Sequence, residues 1–127
     1  VAARLGVAHH RLPFGGVEGA AFEVVPLIRN RFWNELAIWA PAERALVVPE
    51  AVGTGSYFRA GDEPIGVHPM LRPFPPRALG AYEPLHLLPG HGAGMHWPET
   101  PAALRDALDG ARRRIPKALL AIVRSGG

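Results

Sequence analysis

Two residues of this 127-residue chain combine a reactive side chain with a setting that suits a functional site. His91 stands between two glycines, directly after the short apolar segment 85–88. Glycine neighbours let a metal ion or a substrate approach the backbone closely, and imidazole is the commonest metal ligand near neutral pH. Glu50 ends another apolar segment and opens a glycine-containing turn, where its carboxylate would be held toward a cleft. The alternative for His91 is that its glycines serve only the turn.

The other five histidines are assigned structural roles. His9 and His10 are adjacent, so on a strand they would point to opposite faces and lie at or near the surface. His68 lies in a proline-rich segment and is expected to be structural. His86 lies inside the apolar segment LHLL and is expected to be a core imidazole, and His96 is expected to be a packing residue. No arrangement of Ser, His and Asp typical of nucleophilic catalysis stands out, so no catalytic residue is assigned.

The composition excludes several classes of site and places the chain among globular proteins. The chain has no Cys, which excludes disulfides, thiolate zinc clusters, iron–sulfur sites and a cysteine nucleophile. Hydrophobic residues make up 48% of the chain, enough for a folded core. No apolar run approaches the roughly 20 residues of a membrane span, and the N-terminus lacks a signal-peptide pattern. We therefore expect no membrane partner and a cytoplasmic location.

The basic charge of the chain is weak evidence for nucleic-acid binding. The net charge is +3 with a sequence pI near 10.2, and nearly all of the 14 basic residues are Arg. The basic residues form a run only at 112–114, which is typical of a solvated helix face. A surface that binds nucleic acid normally adds aromatic platforms or a reading helix. Nucleic acid is therefore an unlikely partner on this pattern.

The elements that must position His91 and Glu50 are short strands. Apolar patterning predicts strands near 21–28, 35–40, 44–49 and 85–88, the first of them buried on both faces. Residues 41–44 have the length of a hairpin loop. The segment 59–76 contains five prolines and is expected to hold little regular structure, with Asp62 and Glu63 in a flexible loop. Residues 76–82 are compatible with a short helix that begins at Pro76.

The sequence pattern of the C-terminal region predicts an amphipathic helix. Thr100 is a good N-cap, Pro101 suits the first helical position, and Pro116 should kink or restart the helix. An apolar face then continues through Leu119, Leu120, Ile122 and Val123. The order of elements, with several strands first and a strand–turn–helix unit at the end, indicates an α/β or α+β layout, a layered β-sheet plus helix.

Two stretches of the chain resemble a known family. VVPEAVGTG at 47–55 and LHLLPGHG at 85–92, followed by an amphipathic helix, resemble the second half of a metallo-β-lactamase-fold hydrolase. The upstream FEVVPLI is similar to the family strand that leads into another metal-binding histidine. The resemblance covers roughly residues 20–120 and implies the C-terminal half of an αββα sandwich.

The resemblance implies a metal-dependent hydrolase acting on a small-molecule substrate. His91 matches the histidine that binds the second metal, and Glu50 takes the place of the family's metal-bridging Asp; zinc or another divalent metal is the implied cofactor. Other positions depart from the family. Arg29-Asn30-Arg31 replaces the expected Gly-His, Pro49 replaces a Gly, and the main HxHxDH motif has no match in the chain. The metal site is therefore expected to be degenerate or incomplete.

Two explanations account for these departures. The chain 1–127 is either a fragment, a half-domain whose missing N-terminal half carries further ligands, or a single domain whose metal site has decayed. The absence of an initial Met favours the first, and the changes at 29–31 and at Glu50 favour the second. In the second case the fold, without metals, would serve binding or structure. Because a half-fold leaves an open sheet edge and an uncovered face, we expect pairing with a second copy or with the missing half, through sheet edges or C-terminal helices.

Overall fold

A four-stranded sheet forms the centre of the molecule. The computed structural model of the chain describes residues 21–126, so the predicted lead-in over 1–20, with His9 and His10, lies outside the described residues. Strands β1 (Glu23–Arg29), β2 (Asn34–Ala40), β3 (Ala45–Val48) and β6 (His86–Pro89) lie in the order β1-β2-β3-β6. Strand β2 is antiparallel to both neighbours, and β6 is parallel to β3. The four predicted strands are confirmed, with ends shifted by one or two residues.

Strands β2 and β3 form the predicted hairpin. Ala40 pairs with Ala45, and residues 41–44 make the loop between them. The Arg44 N–H donates to the Pro41 carbonyl at 3.2 Å, and Arg44 has a φ of 49°. A turn that ends in a left-handed residue matches the twist of the two strands, which explains the tight connection.

Strand β1 is an edge strand, and the prediction that it is buried on both faces is wrong. Only Val24 and Val25 are buried along it. Its hydrogen-bonding partner in the sheet is β2, and Pro26 interrupts the regular register between the two strands. Proline lacks an N–H and is tolerated at a sheet edge, so Pro26 was the local signal for this position.

The long connection from β3 to β6 carries little regular structure, as its prolines predict. Strands β4 (Val52–Gly53) and β5 (Gly66–Val67) pair as a small antiparallel sheet. Two 3₁₀ turns follow at Pro69–Leu71 and Arg77–Ala81. The second turn occupies the predicted short helix of 76–82, with Pro76 directly before it.

Two helices close the described chain. Helix α1 spans Thr100–Gly110 and helix α2 spans Ile115–Gly126. The prediction of Thr100 as N-cap is wrong by one position: Thr100 is the first helical residue, and its hydroxyl accepts a hydrogen bond from the Trp97 N–H at 3.1 Å. The restart at Pro116 is confirmed, because Pro116 lies in the first turn of α2, where its missing N–H breaks no helical hydrogen bond.

The core joins both sheets to α1 in one mixed α/β unit. Its buried members lie in or beside the large sheet, the small sheet, the second 3₁₀ turn and α1. They include Val25, Ala37, Leu46, Val48, Leu87, Val52, Ile65, Val67, Leu79, Leu104 and Leu108. The more specific αββα sandwich remains a prediction. Within residues 21–126, neither helix has the length and apolar character needed to cross a bilayer.

The outer face of α2 is apolar and open to solvent. Leu119, Leu120 and Val123 are 58%, 49% and 69% exposed. The expected self-association stays a prediction. Light scattering at micromolar concentration tests it, since a stable monomer of one chain mass would contradict it.

Candidate functional site

The parallel pairing of β3 and β6 brings Glu50 and His91 together. Val48 at the end of β3 pairs with Pro89 at the end of β6. Glu50 and His91 each lie two residues beyond these ends, at the same edge of the sheet, where sites in α/β folds commonly form. Oε1 of Glu50 is 3.8 Å from Nε2 of His91, and both side chains are more than half exposed. The two sequence-predicted site residues therefore face one another and remain accessible to a ligand.

The glycines around His91 hold its turn against the neighbouring loop. The Gly90 N–H donates to the Val48 carbonyl at 3.0 Å, and the His91 carbonyl accepts from the Thr54 N–H at 3.1 Å. A Cβ on Gly90 would collide with the Pro49 carbonyl oxygen, and Gly92 has a φ of +97°. Both positions therefore require glycine for backbone reasons. The glycines serve the turn, and the turn presents His91.

A buried carboxylate missed by the sequence analysis positions Glu50. Glu35 is the second residue of β2, lies on the face of that strand that points into the protein, and is 6% exposed. Its Oε2 accepts the backbone N–H groups of Glu50 at 3.0 Å and Ala51 at 2.7 Å, and its Oε1 accepts the Trp33 indole N–H at 3.0 Å. These bonds fix the backbone that carries Glu50. The available signal was an acidic residue at the start of the otherwise apolar segment ELAIWA.

Glu50 and His91 line a cleft of about 570 Å³ together with His68. His68 is a third ionisable side chain of this cleft, and the packing of its ring agrees with the structural role that was predicted for it. Its ring meets the rings of Trp33, Tyr57 and Phe58 edge-on, at centroid distances of 4.8, 5.8 and 5.5 Å. Aromatic packing therefore holds the imidazole in place beside the two predicted site residues.

The surroundings of His68 favour its neutral form. Burial lowers the pKa of His68, and the Glu50 and Glu35 carboxylates oppose that shift. Its Nδ1 accepts the Met70 N–H at 3.1 Å. A neutral imidazole that accepts at Nδ1 carries its proton on Nε2. His68 therefore offers the cleft a hydrogen-bond donor rather than a metal-binding lone pair.

Phe58 connects the cleft to a buried ion pair. Its ring stacks on His91 at a centroid distance of 5.4 Å, and its carbonyl accepts from Nη2 of Arg72 at 2.7 Å. Arg72 also pairs with Glu63, and both side chains are 1% exposed. The prediction of Glu63 in a flexible loop is wrong, because this pair locks the segment to the rest of the fold.

Two of the three arginines at 112–114 face solvent, and the third contacts the buried ion pair. Arg112 and Arg113 are exposed, as predicted. Arg114 instead donates to Glu63 at 3.3 Å and to the Asp106 carboxylate at 2.8 Å. One cation of the run is thus used to close the junction between α1 and α2.

The two remaining described histidines lie at the opposite end of β6 from His91. The prediction of His86 as a core imidazole is wrong: it is half-buried, and its Nδ1 lies 3.0 Å from Nδ1 of the exposed His96. Side chains alternate along β6, so His86 lies on the face opposite the buried Leu87. His96 pairs with His86 rather than packing into the core.

The described residues do not complete a hydrolytic metal site. Such a zinc site takes three protein ligands and a water molecule. Glu50 and His91 would account for two such ligands. His68 carries a proton on Nε2, the ring nitrogen that does not accept the Met70 N–H. Across residues 21–126 no group of three or more His, Asp or Glu side chains is arranged to hold a metal ion.

Comparison with protein-family models, with curated proteins and with solved structures finds no match for this chain.

Proposed function

We propose that this chain acts as a hydrolase of the metallo-β-lactamase type, with the cleft between Glu50 and His91 as its reaction centre and a small molecule as its substrate. Its divalent-metal site is reduced to Glu50 and His91 within residues 21–126. The observation that carries the proposal is the 3.8 Å approach of these two side chains beyond the ends of adjacent parallel strands. Zinc or a related divalent ion is the metal that a carboxylate and an imidazole would hold there.

The cleft has chemical features that suit hydrolysis. The Glu50 carboxylate has oxygen atoms that accept hydrogen bonds, and the neutral His68 donates a hydrogen bond from Nε2. These groups would bind and orient a polar substrate bond, while Tyr57 and Phe58 provide apolar walls. A second groove of about 680 Å³ meets the cleft at Glu50 and is lined in part by Phe32, Trp33 and Leu36. A small-molecule substrate with an apolar portion fits these surroundings.

The alternative is a non-catalytic binding or structural domain that keeps the fold without metals. One observation favours it: a hydrolytic zinc site needs three protein ligands, and no group of three such side chains is found among the described residues. In that case the cleft would bind a ligand through Glu50 and His68 and would catalyse no reaction.

Metal binding separates the two functions. The chain is prepared without an affinity tag and with His96→Ala as background, because the exposed His86–His96 pair could itself take up metal. Metal content is measured on the purified protein, followed by calorimetric titration with zinc and with manganese. The hydrolase proposal expects about one equivalent of metal, lost on His91→Ala and weakened by roughly tenfold or more on Glu50→Gln, since loss of even a supporting group costs 10–100-fold in metal affinity.

Glu43→Gln is the matched control for Glu50→Gln. Glu43 is an exposed carboxylate in the β2–β3 hairpin, so its loss should leave metal binding unchanged. A well-folded chain that takes up no zinc, manganese or iron would contradict the metal-dependent hydrolase and support the alternative.

A further inference from the structure

The pairing of His86 with His96 is built into the backbone. Leu87 and Met95 form an isolated antiparallel bridge and exchange both N–H···O bonds, at 2.8 and 2.9 Å. His86 and His96 are the next residues outward on the two chains. In antiparallel pairing the position beside a hydrogen-bonded pair is the close one, where opposing side chains on the same face approach most nearly. The backbone therefore holds the two imidazoles side by side.

The two nitrogens form a hydrogen bond and are also close enough to share a metal ion. The Nδ1 atoms are 3.0 Å apart and the ring centroids 5.2 Å apart, so one imidazole donates to the other. A metal ion bound by both nitrogens would replace the proton between them. With metal–nitrogen bonds of about 2.0–2.1 Å, nitrogens 3.0 Å apart subtend about 91–97° at the metal. That angle is close to the 90° between neighbouring ligands in the tetragonal geometry of Cu(II) and Ni(II).

We propose that His86 and His96 form a surface site for a divalent transition metal, with Cu(II) bound most tightly. Imidazole nitrogens suit copper, nickel and zinc, and affinities for a given set of such ligands peak at Cu(II). Water molecules complete the coordination, because His96 is exposed and His86 is half-buried. This site lies at the start of β6, while Glu50 and His91 lie beyond its end, so it does not rest on the proposed function.

A metal ion at this site would also stabilise the closed base of the loop that carries His91. Residues 88–94 lie between the two strands of the Leu87–Met95 bridge, and His91 is at their centre. A metal ion held by His86 and His96 crosslinks the base of this loop just outside the bridge. The amide protons of Leu87 and Met95, which are the bridge donors, should therefore exchange with solvent more slowly when the metal is bound.

The test is a titration of the tag-free full chain with Cu(II), followed by calorimetry and by the NMR signals of the histidine rings. We expect the ring signals of His86 and His96 to broaden together at the lowest Cu(II) concentration. His96→Ala and His86→Ala should each weaken this first binding event by about tenfold or more, the scale of effect for disturbing a metal site. The same titration with zinc should give weaker binding than with Cu(II).

Two control variants assign the copper to this pair. His91→Ala removes the imidazole of the proposed reaction centre and should leave the first Cu(II) event unchanged. The double variant His9→Ala, His10→Ala tests the histidines outside the described residues and should also leave it unchanged. Equal Cu(II) affinity in wild type and His96→Ala, or first broadening at histidines other than His86 and His96, would overturn the proposal.

Discussion

Two of the side-chain pairs that include a carboxylate lie in opposite environments, and the contrast separates architecture from function. Glu63 and Arg72 are both 1% exposed and connect the proline-rich segment to the helices. Glu50 and His91 are 58% and 53% exposed. A buried pair must stay paired because an uncompensated charge in the interior is costly, whereas an exposed pair contributes little to stability. The buried pair is therefore structural, and the exposed pair is available to a ligand.

The largest expected effect comes from breaking the buried pair. Arg72→Met leaves Glu63 buried without its main counter-charge and should lower the free energy of unfolding by about 3–5 kcal/mol. Denaturant unfolding measures this loss. Arg105→Met is the matched control, because Arg105 pairs with Glu83 at the surface and should cost no more than about 1 kcal/mol. Equal losses in the two variants would remove the distinction between buried and exposed pairs.

Glu35 should give an intermediate effect, since it is buried but serves the exposed pair. Glu35→Gln keeps an oxygen acceptor but removes the charge that accepts three N–H groups. We expect a loss of about 1–3 kcal/mol in the free energy of unfolding, the cost of weakened hydrogen bonding to buried donors. Metal or ligand binding at Glu50 should weaken as well. An unchanged free energy of unfolding would show that Glu35 does not hold the Glu50 turn.

Replacement of the exposed pair should leave stability almost unchanged. Glu50→Gln and His91→Ala should each alter the free energy of unfolding by no more than about 1 kcal/mol, because both side chains are solvated. Thermal unfolding by circular dichroism checks this expectation on the same samples that are used for metal binding. A large loss of stability would place Glu50 and His91 among the structural pairs and would weaken the assignment of the cleft as a site.

The smallest expected effect is a pH dependence that arises from His68. Because burial lowers the pKa of His68 below that of the unfolded chain, about 6.5, the unfolded state binds more protons in this range. The contribution of His68 to stability is therefore complete above about pH 6.5 and is lost as the pH falls below that value. Unfolding measured from pH 8 to pH 5 should show a shallower decline in His68→Gln than in wild type. Identical slopes would mean that His68 is not held neutral in the cleft.

Local sequence patterns predicted the strands and turns that carry Glu50 and His91. The apolar segments before Glu50 and His91, the glycines around His91 and the four-residue hairpin loop are all readable within a few positions of the chain. Burial of Val48 and Leu87 and turning of the backbone after them follow from those segments. The strands could therefore be predicted from the sequence, and so could the positions of Glu50 and His91 shortly after two strand ends.

Long-range contacts decided the rest, because their partners are distant along the chain. Glu35 accepts the Ala51 N–H across 16 residues, and Arg114 reaches Glu63 across 51. No local pattern indicates that these polar side chains meet.

The sequence by itself determined that two strands end shortly before Glu50 and His91, because strand and turn preferences act over a few residues. Only the tertiary structure decided that these ends face each other, since this requires the parallel pairing of β3 with β6. It also placed His68 in the same cleft and His86 beside His96. Burial and pairing of polar groups depend on which distant segments pack together, and that choice is made by the whole core rather than by any one segment.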